Sequence, residues 1–191
     1  MPLTLTITGA PIVEPLTLEE AKRFLRVDIT RDDALIEALM VSAREEVELL
    51  TGRTILSTTY ALRLECFPAT GIIALPRPPL QSVTSIAYID TAQVSQTLAT
   101  TVYGVDSFSE PGRVYRKTGQ TWPSVYDQLV PITITYVAGY TLATVPERMR
   151  TALKLLLNDS YEHREAHLDA RTFCNEAVHR LLWGLSKVDF V

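Results

Sequence analysis

The apolar spacing of this chain changes period twice, and the two changes limit what it can fold into. From Leu18 to Leu50 apolar residues recur at helical intervals; from Thr54 they alternate with polar ones, as in "TTYALRLECF" and "VPITITYVAGY"; after "TLATVPERMR" the helical interval returns. A period of about 3.6 places one stripe of a helix against a neighbour, and a period of about two places one face of a strand there. The order helix, strand, helix in 191 residues predicts an α+β fold. Its helical core is formed by the N-terminal and C-terminal helices, about 17–51 and 145–186, with an inserted antiparallel β module at about 54–138, all in a single domain, 1–191.

The helical parts carry their own punctuation. Thr17 followed by Glu20 is a capping box, in which hydroxyl and carboxylate reciprocally satisfy free N–H groups at a helix start. Leu18, Ala21, Phe24 and Leu25 then share one face. A helix of about ten residues is marginal alone in water, so packing must hold it. A second, longer helix begins at Thr30 or Asp32, carries Ile36, Met40, Ala43, Val47 and Leu50 at helical spacing, and stops at Gly52. Thr144 with Glu147 reads as a second capping box with Pro146 in the first turn. Met149, Ala152, Leu153, Leu156, Leu157 and Ser160 form the buried face that follows, and Phe173, Ala177, Val178, Leu181 and Leu182 that of a last helix ending near Gly184.

Within the β module, Tyr60, Leu62, Leu64 and Cys66 alternate with Ala61, Arg63 and Glu65. Strands are expected at 72–75 and about 83–89, separated by Pro76, Pro78 and Pro79, which cannot serve a central ladder. Val130, Ile132, Ile134 and Tyr136 mark another strand. Residues 90–129 read as loops, with short strands at Val102–Tyr103 and Arg113–Arg116, a turn at "KTGQ", and Trp122–Pro123 where the loop packs back.

Charge and composition exclude several function classes. The net charge is −4, with the acidic excess before residue 52. A phosphate-gripping protein needs a basic face, and "RVYRK" at 113–117 offers a small one. No run approaches the apolar length of a membrane span, and "MPLTLTITGAPIVEP" lacks a basic n-region, so a cytoplasmic product with no membrane partner is expected. Cys66 and Cys174 are far apart and read as reduced, packed thiols. The phosphate-loop, dinucleotide-loop, nucleophile-elbow and zincin motifs are absent. His163 and His167 in "HREAH" would share a helix face, but no third ligand accompanies them. No catalytic residue, metal or cofactor is assigned.

Three segments in order, "PLTLEEAKRFLRV" (Pro15–Val27), "AREEVELLTGR" (Ala43–Arg53) and "VPERMRTA" (Val145–Ala152) running on to "YEHRE" (Tyr161–Glu165), resemble the head–tail connector, or adaptor, family of tailed double-stranded DNA phages and related gene transfer agents. The resemblance covers about two-thirds of the chain. It implies a non-enzymatic virion component, made in the bacterial cytoplasm and placed at the head–tail interface. Copies of the chain, typically twelve in this family, would form a ring beneath the portal protein. The ring would offer a docking surface to a tail-side stopper or tail terminator protein and let double-stranded DNA pass without specific binding.

On that reading, Trp183, Leu185, Val188, Phe190 and Val191 are expected to contact the portal; Phe24, Leu25, Ile36, Met40 and Val47 to lie between subunits, since a cyclic ring needs two complementary patches; and Arg113, Tyr115, Arg116 and Trp122 to make loop contacts. The acidic N-terminal half would suit a channel to which DNA must not adhere. Two alternatives remain: a nucleic-acid-binding module built on "RVYRK" with Tyr115 and Trp122 as stacking groups, and a small enzyme with an unrecognised site.

Overall fold

Eight strands and four helices follow one another in a computed structural model that describes residues 3–163 and 176–185. They are β1 (Leu3–Gly9), α1 (Leu18–Leu25), α2 (Asp33–Thr51), β2 (Thr58–Leu64), β3 (Ile72–Leu75), β4 (Leu80–Ile89), β5 (Ser95–Thr97), β6 (Tyr103–Asp106), β7 (Gly112–Arg116), β8 (Ile132–Ala138), α3 (Glu147–Glu162) and α4 (Glu176–Leu182). The fold is α+β with antiparallel pairing throughout. Two compact units divide it: a β unit containing β1 and Ser57–Tyr140, and a helical unit containing Ile12–Leu56 and the helices after Thr141.

In the β unit, five strands pair in the order β1-β2-β8-β4-β5, and three more in the order β3-β7-β6. β2 and β8 are central because their inward residues are large and apolar at every second position: Tyr60, Leu62 and Leu64 lie opposite Tyr136, Ile134 and Ile132. Tyr60 stacks on Tyr136 with ring centroids 5.6 Å apart, and the Tyr136 hydroxyl donates to the Pro76 carbonyl at 2.8 Å. Burial pushes that hydroxyl's pKa up, with Tyr60 adding to the shift. The small sheet adds Ile73, Leu75, Tyr103 and Val114 to the same hydrophobic core. Gly112 allows β7 to approach β4, since a Cβ there would lie 2.4 Å from the Cβ of Leu80.

β1 and β5 were not among the expected strands. "LTLTITG" does alternate, but as an edge strand its second face stays open, and Ile7 is exposed. β4 begins earlier than expected, directly after Pro79, and absorbs two register shifts along β8. β2 ends at Leu64, so the alternation never reaches Cys66; that thiol, expected to be packed, is exposed. Cys174 lies outside the described residues.

In the helical unit the Thr17 box is present in both directions: the Glu20 N–H donates to Thr17 Oγ1 at 3.1 Å, and the Thr17 N–H donates to Glu20 Oε2 at 3.0 Å. The Thr17 N–H donated to the carboxylate, with the Arg150 and Lys154 cations beyond it, holds the Glu20 carboxyl below its usual pKa against the opposing effect of burial. α2 packs on α3, with α1 and α4 beside them, through Ile36, Met40, Ala43 and Val47 on one side and Met149, Ala152, Leu153 and Leu157 on the other. Gly52, at φ 66°, ends α2.

The second expected capping box does not form. Thr144 turns back onto Thr141, whose N–H donates to Thr144 Oγ1 at 3.0 Å, and α3 begins after Pro146 with no side-chain cap. The box would require Val145 to be helical, and a residue preceding proline is driven to extended backbone. On α3, Ser160 is exposed and Leu156 half-buried, so the buried face is narrower than the spacing suggested. On α4, Val178 and Leu182 are buried and Ala177 is exposed; Phe173 lies outside the described residues.

Candidate assembly surfaces

α1 is too short to stand alone, and two ion pairs fix it. Glu20 accepts from Arg150 on α3 at 3.0 Å, and Lys22 donates to Asp33 at the start of α2 at 2.5 Å. With Ala21 and Leu25 turned inward, the outer side of α1 presents Arg23 and a 42% exposed Phe24; Glu20, Arg23, Phe24 and Lys154 line a shallow groove between α1 and α3. A second groove beside it is lined by Leu18, Glu19, Lys22, Arg23, Val27 and Asp28.

Of the residues expected between subunits, Leu25, Ile36, Met40 and Val47 are buried inside their own helical unit. A side chain closed within one subunit has no area to give a neighbour, so these four serve the internal seam; Phe24 alone of the five is exposed. α2 has a second face, however. Leu35, Ala38, Ser42 and Leu49 recur at intervals of three, four and seven on the side opposite Ile36, Met40, Ala43 and Val47, and all four are exposed, Leu49 by 71%. Glu45 and Glu46 flank that row. The Arg44 guanidinium ties Glu14 at 2.9 Å and Glu48 at 3.4 Å, and reaches the exposed Glu45 at 4.0 Å.

After α4, Trp183 is 71% exposed and Leu185 half-buried. The Leu185 carbonyl accepts from Nε of the buried Arg53 at 2.9 Å, which anchors the end of the described chain to the residue after Gly52. Val188, Phe190 and Val191 lie outside the described residues.

On the β unit, Arg113 and Tyr115 project from the outer face of β7, where Tyr115 is opposite Ile72 of β3 and Gly104 of β6. The Tyr115 ring rests on Gly104, which has no side chain to displace it: a Cβ there would lie 2.4 Å from the ring. Arg116 is exposed at the strand end. Trp122 is not a loop-tip group; it stacks on Phe67 at 4.7 Å and 8° and packs against the β core. Its buried indole N–H has no hydrogen-bond partner among the described residues.

The turn between β6 and β7 holds a residue the sequence reading missed. The Asp106 carboxylate accepts from the N–H groups of Phe108 and Ser109 at 3.0 and 3.1 Å and from the Ser109 hydroxyl at 2.5 Å. The Ser109 contacts hold its pKa below the usual carboxylate range. The turn so fixed carries Phe108 with 98% of its surface exposed. "DSFSEPG" announces a turn, but nothing local in it marks the aromatic as outward.

Chemistry is sparse. Among the described residues no group of three or more His, Cys, Asp and Glu could hold a metal ion. His163, at the end of α3, has Nδ1 3.0 Å from the Asp159 carbonyl oxygen, and His167 lies outside the described residues. No described helix is long and apolar enough to cross a membrane.

The fold has solved counterparts. A chain in the neck of an empty gene transfer agent particle, computed with C6 symmetry, superposes with a TM-score of 0.82 at 20% identity, covering 98% of this chain and 97% of that one. A chain in the virion of a native gene transfer agent particle gives 0.81 at 21% identity over 98% and 97%. One in the neck of a native particle computed with C12 symmetry gives 0.74 at 20% over 97% of each. No curated protein matches. At these identities the likeness establishes the fold. The family model for head completion proteins matches residues 14–180, which is most of the chain. The chain therefore belongs to the head completion protein family.

Proposed function

We propose that this protein is the head–tail connector of a phage or phage-like particle: a ring of identical copies beneath the portal that joins the DNA-filled head to the tail. The observation that carries the reading is the head completion match across residues 14–180, on a fold shared over nearly its full length with chains of gene transfer agent necks. What its surfaces offer supports it. Large apolar groups stand exposed on both units, Leu49 and Trp183 on one and Phe108 on the other, where a catalytic cleft would instead converge polar groups in a pocket. The connector works by packing and requires no catalysis, metal or cofactor.

Within this role, Trp183 and the apolar residues that follow Leu185 in sequence, Val188, Phe190 and Val191, are assigned to the portal. The β unit, with Phe108 at a fixed tip and Arg113, Tyr115 and Arg116 on β7, is assigned to the tail-side stopper or terminator. Asp106 holds the backbone of the turn that carries Phe108, so docking there would order only the side chain. DNA passes through the ring without specific binding. The nucleic-acid-binding alternative loses one of its two aromatics, because Trp122 is stacked on Phe67 and packed against the β core, where it cannot stack on a base.

Deleting the gene in a producing strain tests the reading. The expected product is DNA-packaged heads without tails, which leak DNA, together with free tails. Normal tailed particles from the deletion strain would reject it.

A further inference from the structure

Resting on the ring reading, we infer that the outer face of α2 is the lateral contact between neighbouring subunits, and that it seats on the α1–α3 groove of the next copy. The face is built from Leu35, Ala38, Ser42 and Leu49, a row about 21 Å long at 1.5 Å per residue. The inner face of the same helix is filled by Ile36, Met40, Ala43 and Val47, which turn toward the other helices of the unit, so the outer row points away from them. Two exposed leucines bracket two small residues in this row, and small residues admit the close approach of a neighbouring helix.

The occupant follows from charge and from shape. Glu45 and Glu46 flank the row. The α1–α3 groove presents Arg23 and Lys154 around the half-exposed ring of Phe24, while its one acidic lining residue, Glu20, is paired with Arg150 at 3.0 Å. Among the described residues Arg23 pairs with Glu19, in an exposed pair one turn away, which is worth little and is easily exchanged. One surface is therefore apolar with acidic edges, the other aromatic with basic edges. The two are different patches of the same chain, which is the requirement for a head-to-tail contact that closes into a ring.

Size argues the same way. A helix face of about 21 by 10 Å gives roughly 200 Å² per partner, against about 800 Å² in a standard stable interface. The contact cannot hold a pair of free subunits together, but repeated around a ring already tethered to a portal it acts through effective concentration. The acidic residues of α2 are then edges of a protein contact and not the wall of the DNA channel, a surface on which bare leucines would serve no purpose.

The test replaces the two faces in the intact chain and counts copies per particle relative to portal. Leu35→Asp with Leu49→Asp changes only exposed positions, so the purified protein should keep its circular dichroism and thermal midpoint while its occupancy in the neck falls at least tenfold. Glu45→Arg with Glu46→Arg, and separately Arg23→Glu with Lys154→Glu, should each lower occupancy, and all four substitutions in one chain should restore at least half of it. This second arm decides the matter whatever the leucine variant does to the fold. Normal occupancy of the leucine variant, or no recovery in the four-fold variant, overturns the contact and leaves the connector reading standing. Absence of the wild-type chain from the neck overturns both.

Discussion

Ile36 and Phe24 lie within the same pair of short-range helices and do opposite work. Ile36 is fully buried between α2 and its neighbours, so Ile36→Ala should destabilise the helical unit by about 2–5 kcal/mol through lost transfer energy and the cavity left behind. Phe24 is exposed, and Phe24→Ala should stay within about 0.5 kcal/mol of wild type. Denaturant titration of the two variants, followed by helix signal, measures both. A third residue-scale expectation concerns Asp106. Its carboxyl is depressed by the Ser109 and Phe108 contacts, so the charged form is favoured in the folded turn. The stabilisation is thus complete above the unfolded carboxylate range and is lost as pH falls through the lower folded value. Amide exchange at Phe108 and Ser109 should be slow at neutral pH and, after correction for intrinsic rates, lose protection below about pH 4. Asp106→Asn should show reduced protection at neutral pH and little further change on acidification.

At the scale of elements, the close approach of β7 to β4 makes a sharp prediction: Gly112→Ala sets a methyl against the rigid Cβ of Leu80 and should cost about 1–3 kcal/mol, measured as a lower unfolding midpoint of the β unit. What the sequence disclosed about elements was what local chemistry decides. The Thr17–Glu20 box, the Gly52 stop and the inward rows Tyr60, Leu62, Leu64 of β2 and Ile132, Ile134, Tyr136 of β8 are written in residues a few positions apart, and the structure has each of them. The failures have non-local causes. β1 takes its place only through β2, more than fifty residues away in sequence, and β5 through three pairs on β4. Thr144 had the right partner at the right spacing, yet Pro146 dictated the backbone between them. On α2 the inner apolar row was recognised and assigned to a neighbour, because periodicity shows that a face is buried without showing by whom; the exposed row of Leu35 and Leu49 was overlooked beside it. Trp122 reads as a stacking group in sequence for the same reason, since only the fold shows that Phe67 already lies against it.

For the whole molecule, the helical unit closes its own core, and among the described residues the outward apolar groups are scattered over both units. Sedimentation velocity at micromolar concentration should therefore find chiefly monomer. The ring itself is the central claim, and cryo-electron microscopy of particles from a strain producing this protein, with the neck reconstructed without imposed symmetry, tests it most directly. The expected result is a closed ring of this chain, twelve copies, between portal and tail. A neck in which this chain is missing, or is present as a single copy off the axis, would contradict it.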